Sequence, residues 1–371
     1  MPYQTSVDTG NNQTDWSGLL WRTSTLDWQA AQRAATIDPR VDFFLYFRTA
    51  ATVPGQGSFQ AGDVLFFAGS PAPGVLPGCD LYTKDFFATA YVQANDQRLV
   101  NVGCYTLADG REFFDIACIF AANIGWNHVD GGAKLTFNDS VSAALASGDI
   151  QALQSKGIVV LLSILNDHAS TGWSEFSNEV DVRNFVSQVV ECVETYGLDG
   201  IDIDDEYSAG TPVADSLGWV TTLLRQALPG KIVSKALWQD SQFFQASWNG
   251  HTLAENLSFG WEMSYGGDGA SRLDPYLRDG MVKAQLAAGV TLDNYDKSAA
   301  EVLATFIRSN GFGGIMIFDV GTDSGEALSD ISNVLWGQQT ISDSRCFHQW
   351  LPLQGAAAMT AIDQAEATGA E

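Results

Sequence analysis

Tyr196-Gly197-Leu198-Asp199-Gly200-Ile201-Asp202-Ile203-Asp204-Asp205-Glu206-Tyr207 is the stretch on which the fold turns. Successive side chains of a strand point to opposite faces. Asp202, Asp204 and Glu206 therefore share one face, and Ile201 and Ile203 share the other. The isoleucines suit contact with a layer of helices, and the acids suit a barrel interior. A solvated acidic turn does not explain this alternation. Three carboxylates stacked in a narrow interior do not all ionise cheaply, so at least one pKa rises. Glu206 falls at the C-terminal end of the strand, where barrel active sites lie, which makes it a candidate general acid. On this segment alone a metal site and a purely structural role stay open. A calcium loop of the EF-hand type is excluded, because Tyr207 stands where the loop needs Gly and Val213 where it needs Glu.

Outward from this segment, strand-like and helix-like stretches alternate. The strand candidates are Phe86–Val92, Asp115–Ala122, Ile158–Leu165, Leu198–Asp204, Lys231–Trp238, Leu257–Ser264, Gly289–Asp293 and Gly313–Asp319. Several are apolar nearly throughout, as strands buried on both faces are. The clearest helix carries Val182, Phe185, Val186, Val189, Val193 and Tyr196 at helical spacing, with Ser177 expected as N-cap and Gly197 as the stop. Eight such units predict an α/β fold, a (β/α)8 TIM barrel over residues 83–337. A doubly wound open sheet is the alternative, but no glycine-rich dinucleotide fingerprint opens any unit. Residues 1–82 break the rhythm and form an N-terminal extension or a small aromatic-rich module. They hold Trp16, Trp21, Trp28 and the run Phe43-Phe44-Leu45-Tyr46-Phe47, read as core or as sugar-stacking surface. Gly69–Gly78 reads as a linker, and residues 338–371 as a C-terminal extension ending in the acidic stretch Ala356–Glu371.

With 19 Lys+Arg against 44 Asp+Glu the formal charge is −25. That excludes nucleic acid and anionic membrane surfaces as partners, since phosphate binding needs clustered cations. No apolar run reaches the roughly 18 residues of a membrane helix. Met1–Ser6 has neither a basic nor an apolar segment, so no signal peptide is expected there. The compartment stays open, with a secreted mature form favoured over a cytoplasmic one. Five cysteines are too few for a disulfide scaffold, and one or two bridges at most are expected. The sequons at Asn12, Asn138 and Asn256 are compatible with secretion but arise by chance at this length. His128, His168, His251 and His348 show no metal-ligand spacing, so neither metal nor cofactor is expected.

Asp199-x-x-Asp202-x-Asp204-x-Glu206 resembles the D-x-x-D-x-D-x-E signature of glycoside hydrolase family 18. Asn101–Gly110, Ile119–Ile124 and Val160–Leu165 with His168, Gly172 and Phe176 are similar to the first three strand regions of its bacterial endo-β-N-acetylglucosaminidases. So is Asp205-Glu206-Tyr207. In the sixth strand region, Met263-Ser264-Tyr265 is closer to the chitinases, with Gly266 in place of Asp. The resemblance spans about residues 85–337. It implies hydrolysis of the GlcNAc-GlcNAc core of N-glycans, high-mannose or hybrid, by substrate-assisted retaining catalysis. The implied catalytic set is Glu206 as acid and then base, Asp204 on the acetamide N–H, Asp202 holding Asp204 from below, and Tyr265 donating to the acetamide carbonyl. Asp199 supports the strand. The candidate sugar contacts are Asn123, His168 and Asp319, with Trp173 and Trp261 as stacking platforms or core. N-glycans of glycoproteins are the expected partner, and the expected state is a monomer. The alternatives are a chitinase, a catalytically inactive glycan-binding protein and a metal-dependent phosphoesterase.

Overall fold

The computed structural model describes residues 18–349 apart from Thr25, Pro54, Gly55, residues 70–78, Lys84, residues 127–130, Ala169, Ser170, Ala246, Gly267 and Asp268. Trp16, Asn12, His128, most of the Gly69–Gly78 linker and the acidic stretch Ala356–Glu371 lie outside the described residues.

Eight parallel strands close into a barrel. In order they are Phe87–Gln93, Ile116–Trp126, Val159–Asn166, Gly200–Asp204, Ile232–Leu237, Phe259–Glu262, Leu286–Thr291 and Gly314–Phe318. The eighth pairs back onto the first, Met316 opposite Thr89, which leaves no open barrel edge. The seventh strand starts three residues before the expected Gly289. Leu286-Ala287-Ala288 lacks β-branched residues, so its strand character comes from burial between neighbouring strands and not from local preference. Long helices cover the third, fourth and seventh crossovers, Glu179–Tyr196, Ser216–Ala227 and Lys297–Asn310, and another, Gly325–Leu335, follows the eighth strand. A 3-10 helix, Leu99–Cys104, stands in the first crossover.

The helix Glu179–Tyr196 buries the expected Val182, Phe185, Val186, Val189 and Val193. Its N-cap is Asn178, one residue beyond the expected Ser177, because the Asn178 side-chain oxygen Oδ1 accepts from the Asp181 N–H at 3.0 Å. Gly197 ends it in the left-handed conformation at φ 66°. Asn256 is buried and donates to Thr221 and Thr222, and Asn138 caps the helix Asp139–Ala146. Both sequon asparagines therefore serve the fold.

Gly200 lets the fourth and fifth strands approach. A Cβ there would lie 2.0 Å from the Ile232 carbonyl oxygen, so any side chain would push the two strands apart. Ile201 and Ile203 join the apolar layer under the helices, as the alternation requires. Tyr91, Cys118, Leu161, Ala236, Phe259, Trp261 and Met316 fill the barrel interior.

Residues 18–83 build a separate antiparallel sheet. Its strands Leu19–Thr23, Val64–Phe67, Phe43–Phe47 and Cys79–Thr83 lie side by side in that order. One face, with Phe43, Leu45, Phe47 and Phe67, packs on the hairpin residues Val53 and Phe59. The other, with Phe44 and Phe66, packs on Trp21, Trp28 and the helix Trp28–Ile37. The described aromatics here are core. That helix lies against the foot of the barrel. Ile37 packs on the interior cluster, and Arg33 Nη2 reaches Asp199 Oδ1 at 2.5 Å. At the other end of the chain, Thr340–Ser342 pairs with Tyr105–Leu107, and Cys346 is bridged to Cys104 across a separation of 242 residues.

Two stability outcomes follow from these attachments. Arg33→Ala leaves Asp199 buried with Gln154 Nε2 and the Val160 N–H as its remaining donors. Urea unfolding should show a loss of about 1–3 kcal/mol with unchanged turnover per folded molecule. An unchanged midpoint would mean that the pair is not structural. Replacing Cys104 and Cys346 together by Ser should cost about 2–4 kcal/mol, since the bridge closes a long loop in the unfolded chain. Equal melting curves in the presence and absence of reductant would contradict this.

Candidate active site

The site is built from the fourth strand. Asp202 lies opposite Ser163 on the third strand and Ser234 on the fifth. Its Oδ2 accepts from the Tyr91 hydroxyl at 2.5 Å and Ser163 Oγ at 3.0 Å, and its Oδ1 from Ser234 Oγ at 2.8 Å. Trp261 Nε1 donates to the Tyr91 hydroxyl at 2.5 Å, which commits the tyrosine proton to Asp202. Burial raises the Asp202 pKa; the donors from Tyr91, Ser234 and Ser163 and the Lys235 charge pull against it, and the net direction is upward.

Asp204 is the next inward-facing side chain. It is 3% exposed, and its Oδ1 is buried with no hydrogen-bond partner among the described residues. Burial first, then the charges of Glu206 and Asp202, push its carboxyl well above the ordinary aspartate range. Glu206 lies half-buried beyond it, and burial raises its pKa while Lys235 works against the rise. The two acids interact, so their titration belongs to the pair and not to either one alone. Tyr265 follows the sixth strand with a left-handed φ of 55°. Burial and then the charges of Asp204 and Glu206 drive its phenol far above the usual tyrosine value, so it stays a donor. Asp202, Asp204, Glu206 and Tyr265 are thus brought together at the C-terminal end of the barrel.

The candidate sugar contacts divide. Asn123 is half-buried at the second strand, with Nδ2 donating to the carbonyls of Leu165 at 3.3 Å and Asn166 at 3.4 Å. His168 is exposed at the rim, and its ring lies 4.9 Å from that of Tyr207. Asp319 ends the eighth strand, and its Oδ1 accepts from Gln93 Nε2 at 2.9 Å. Trp173 departs from the stacking expectation. It has no exposed surface, packs on Phe185 in the helix layer, and donates from Nε1 to the Ile164 carbonyl at 2.7 Å. It pins the loop after the third strand and offers no face to a sugar. Trp261 is equally enclosed, inside the barrel, where it orients Tyr91.

Several residues escaped the sequence reading. Tyr91, Ser163 and Ser234 hold Asp202, and Ser163 and Ser234 had a signal, as single hydroxyls inside otherwise apolar strands. Asp205 faces away from the ladder and accepts from Asn166 Nδ2 at 3.1 Å and the Ser174 N–H at 3.3 Å, which ties the third loop to the fourth strand. Trp238, 48% exposed, lines a pocket with Gln239, Glu262, Ser264, Arg272 and Tyr276 beside the fifth and sixth strands. Among the described residues no group of three or more His, Cys, Asp or Glu is placed to hold a metal ion.

Comparison with known proteins agrees with this geometry. The family model for the glycosyl hydrolases family 18 matches residues 102–289. An endo-beta-N-acetylglucosaminidase of Flavobacterium sp. (strain SK1022) is 38% identical over 260 residues, covering 67% of this chain and 80% of that protein. The endo-beta-N-acetylglucosaminidase F1 of Elizabethkingia meningoseptica is 26% identical over 273 residues, 68% of this chain and 78% of that protein. EndoBT-3987 of Bacteroides thetaiotamicron, solved with a Man5GlcNAc product, superposes with a TM-score of 0.60 at 18% identity, over 92% of this chain and 90% of that one, and so shares the fold. With its carboxylate ladder inside a closed eight-stranded barrel, this chain belongs to glycoside hydrolase family 18.

Proposed function

We propose that this protein is an endo-β-N-acetylglucosaminidase that hydrolyses the β-1,4 bond of the GlcNAc-GlcNAc core of high-mannose or hybrid N-glycans on glycoproteins. The observation that carries the chemistry is Asp204 Oδ1, a buried acceptor with no partner among the described residues, beside Glu206 and the Tyr265 phenol. A 2-acetamido group fits that vacancy. Its N–H donates to Asp204, and its carbonyl oxygen accepts from the Tyr265 hydroxyl. Held this way, the carbonyl oxygen attacks the anomeric carbon as Glu206 protonates the departing glycosidic oxygen. Orientation of this kind is worth up to roughly 7–11 kcal/mol. The oxazolinium that forms is cationic, and Asp204 lies next to it. A donor and then a positive charge beside Asp204 favour its ionised form, which leaves the shared proton on Glu206, where the leaving group needs it. Glu206 then takes a proton from the water that opens the ring, and configuration is retained.

The two endoglycosidase relatives support the substrate class over chitin. The catalytic unit in this reading is residues 83–337, flanked by residues 1–82 and 338–371, and it acts as a monomer. His168, Asn123 and Asp319 border the mouth as sugar contacts. Trp238 joins them as an exposed aromatic beside the sixth strand.

The function is tested by intact-mass measurement of a high-mannose glycoprotein after incubation. Retention of one GlcNAc per site is expected, and turnover of chitin oligomers alone would transfer the assignment to a chitinase. Glu206→Gln should lower kcat about 10²–10⁴-fold. Asp204→Asn should lower kcat with little change in KM, and a raised KM at full kcat would remove Asp204 from the reacting centre. Because Glu206 must be protonated at the first step, kcat/KM should fall as pH rises through a pKa above that of an ordinary glutamate. A basic limb at the ordinary glutamate value would contradict this.

A further inference from the structure

Behind the ladder, on the outer face of the same strands, a lysine is buried completely. Lys235 lies opposite Ile203 in the register of the fourth and fifth strands, and Ile203 is flanked by Asp202 and Asp204. It is 1% exposed, in the middle of the apolar strand Ile232–Leu237. Its Nζ is 2.5 Å from Asp240 Oδ2 and donates to the Ala236 carbonyl at 2.9 Å. Asp240 Oδ1 accepts in turn from the Tyr276 hydroxyl at 2.7 Å. Asp240 alone would satisfy the cation as a local pair. Two things make its reach wider. Asp205 points to this same outward face, two residues beyond Ile203, and the charges of Asp205 and Asp204 act on Lys235 together with that of Asp240. Conversely, Lys235 is the cation that acts on Asp202, Asp204, Asp205 and Glu206 alike.

We propose that Lys235 is a positioning residue for catalysis: its buried ammonium is the counter-charge that lets the fourth strand carry its carboxylates on both faces and keeps Glu206 within its working range of ionisation. The inference deepens the proposed function and rests on it only where turnover is read. Burying a lone ammonium in an apolar layer costs several kcal/mol, and a single carboxylate would balance it. Here it serves a cluster whose members repel one another. Burial, the largest influence on Lys235, favours its neutral form. The carboxylates of Asp240, Asp205 and Asp204 outweigh burial and keep it charged. The groups that act on Lys235 are Asp204 across the fourth strand, Asp205 just beyond that strand's end, Asp240 from the loop after the fifth, and Tyr276, through Asp240, from the helix Gly269–Arg278. Those whose charges interact with Glu206 are Asp204, Tyr207 and Tyr265, and Lys235 acts on it from the outer face of the sheet.

The sign follows from the charge. A cation stabilises the ionised carboxylates, so its removal raises their pKa values. Lys235→Met keeps the length and removes the charge. The basic limb of its kcat/KM profile should move upward by about one pH unit, with a smaller effect on KM than on kcat. Lys235→Arg should retain the wild-type limb. Lys235→Met strands Asp240 in the interior, so the double variant Lys235→Met/Asp240→Asn removes both charges of the pair and should fold with the same displaced limb. Carbon-13 NMR of labelled glutamate, with the Glu206 signal assigned by its loss in Glu206→Gln, reads the same shift without turnover. If the wild type fails to cleave N-glycans, the proposed function falls, and this titration still decides the role of Lys235. A folded charge-free variant with an unmoved Glu206 titration overturns the inference. In the wild type, nitrogen-15 NMR of labelled lysine should show Lys235 protonated throughout the active range. A neutral Lys235 at pH 7 overturns it even if neither neutral variant folds.

Discussion

The constraint that shapes this molecule is the presence of several carboxylates where little water reaches. Asp202 is the fixed point. Tyr91, Ser163 and Ser234 come from the first, third and fifth strands to give it three donors, and Trp261 on the sixth orients the tyrosine. All are neutral groups, so the oxygens are satisfied without a cation inside the barrel. Asp204 receives no such care, and its Oδ1 has no hydrogen-bond partner among the described residues. A satisfied anion below and an unsatisfied one above turn a stack of like charges into a site with a direction. Tyr265 and Glu206 close that site from the sixth and fourth strands.

Much of this was legible from alternation. Ile201-Asp202-Ile203-Asp204 dictates which side chains face the interior and which the helices, and Ile201 and Ile203 lie as that pattern demands. The barrel was legible because buried parallel strands read as apolar runs. What stayed hidden depends on register. Ser163 and Ser234 meet Asp202 only because three strands align at one level, and no single strand carries that information. Lys235 is a similar case: in sequence it is one charge in an apolar strand, and its partners Asp240 and Asp205 come from two different segments. Trp173 shows the converse limit. Its place in the third loop left a sugar platform and a core ring both open, and only the helix layer beneath shows that the ring is core.

The aromatic residues near the N-terminus illustrate a further point about composition. Phe43 to Phe47 alternate between two faces of a small sheet, and each face has its own apolar cover. Density of aromatic residues therefore signals a second core here. The helix that covers one of these faces is also the helix that meets the barrel floor.

That shared helix has a consequence for how the molecule can be divided. Arg33 grips Asp199, the residue immediately before the strand that carries the ladder, and Ile37 plugs the interior from below. The hydrogen bonding of the barrel is therefore completed by a residue that lies, in chain terms, well before its first strand. A graft of the eight strands onto another scaffold would carry an open floor and, at the root of its own active strand, a buried anion deprived of its cation. The inheritable unit is the barrel with its footing, and gene fusions or permutations that respect this boundary have to move the two together.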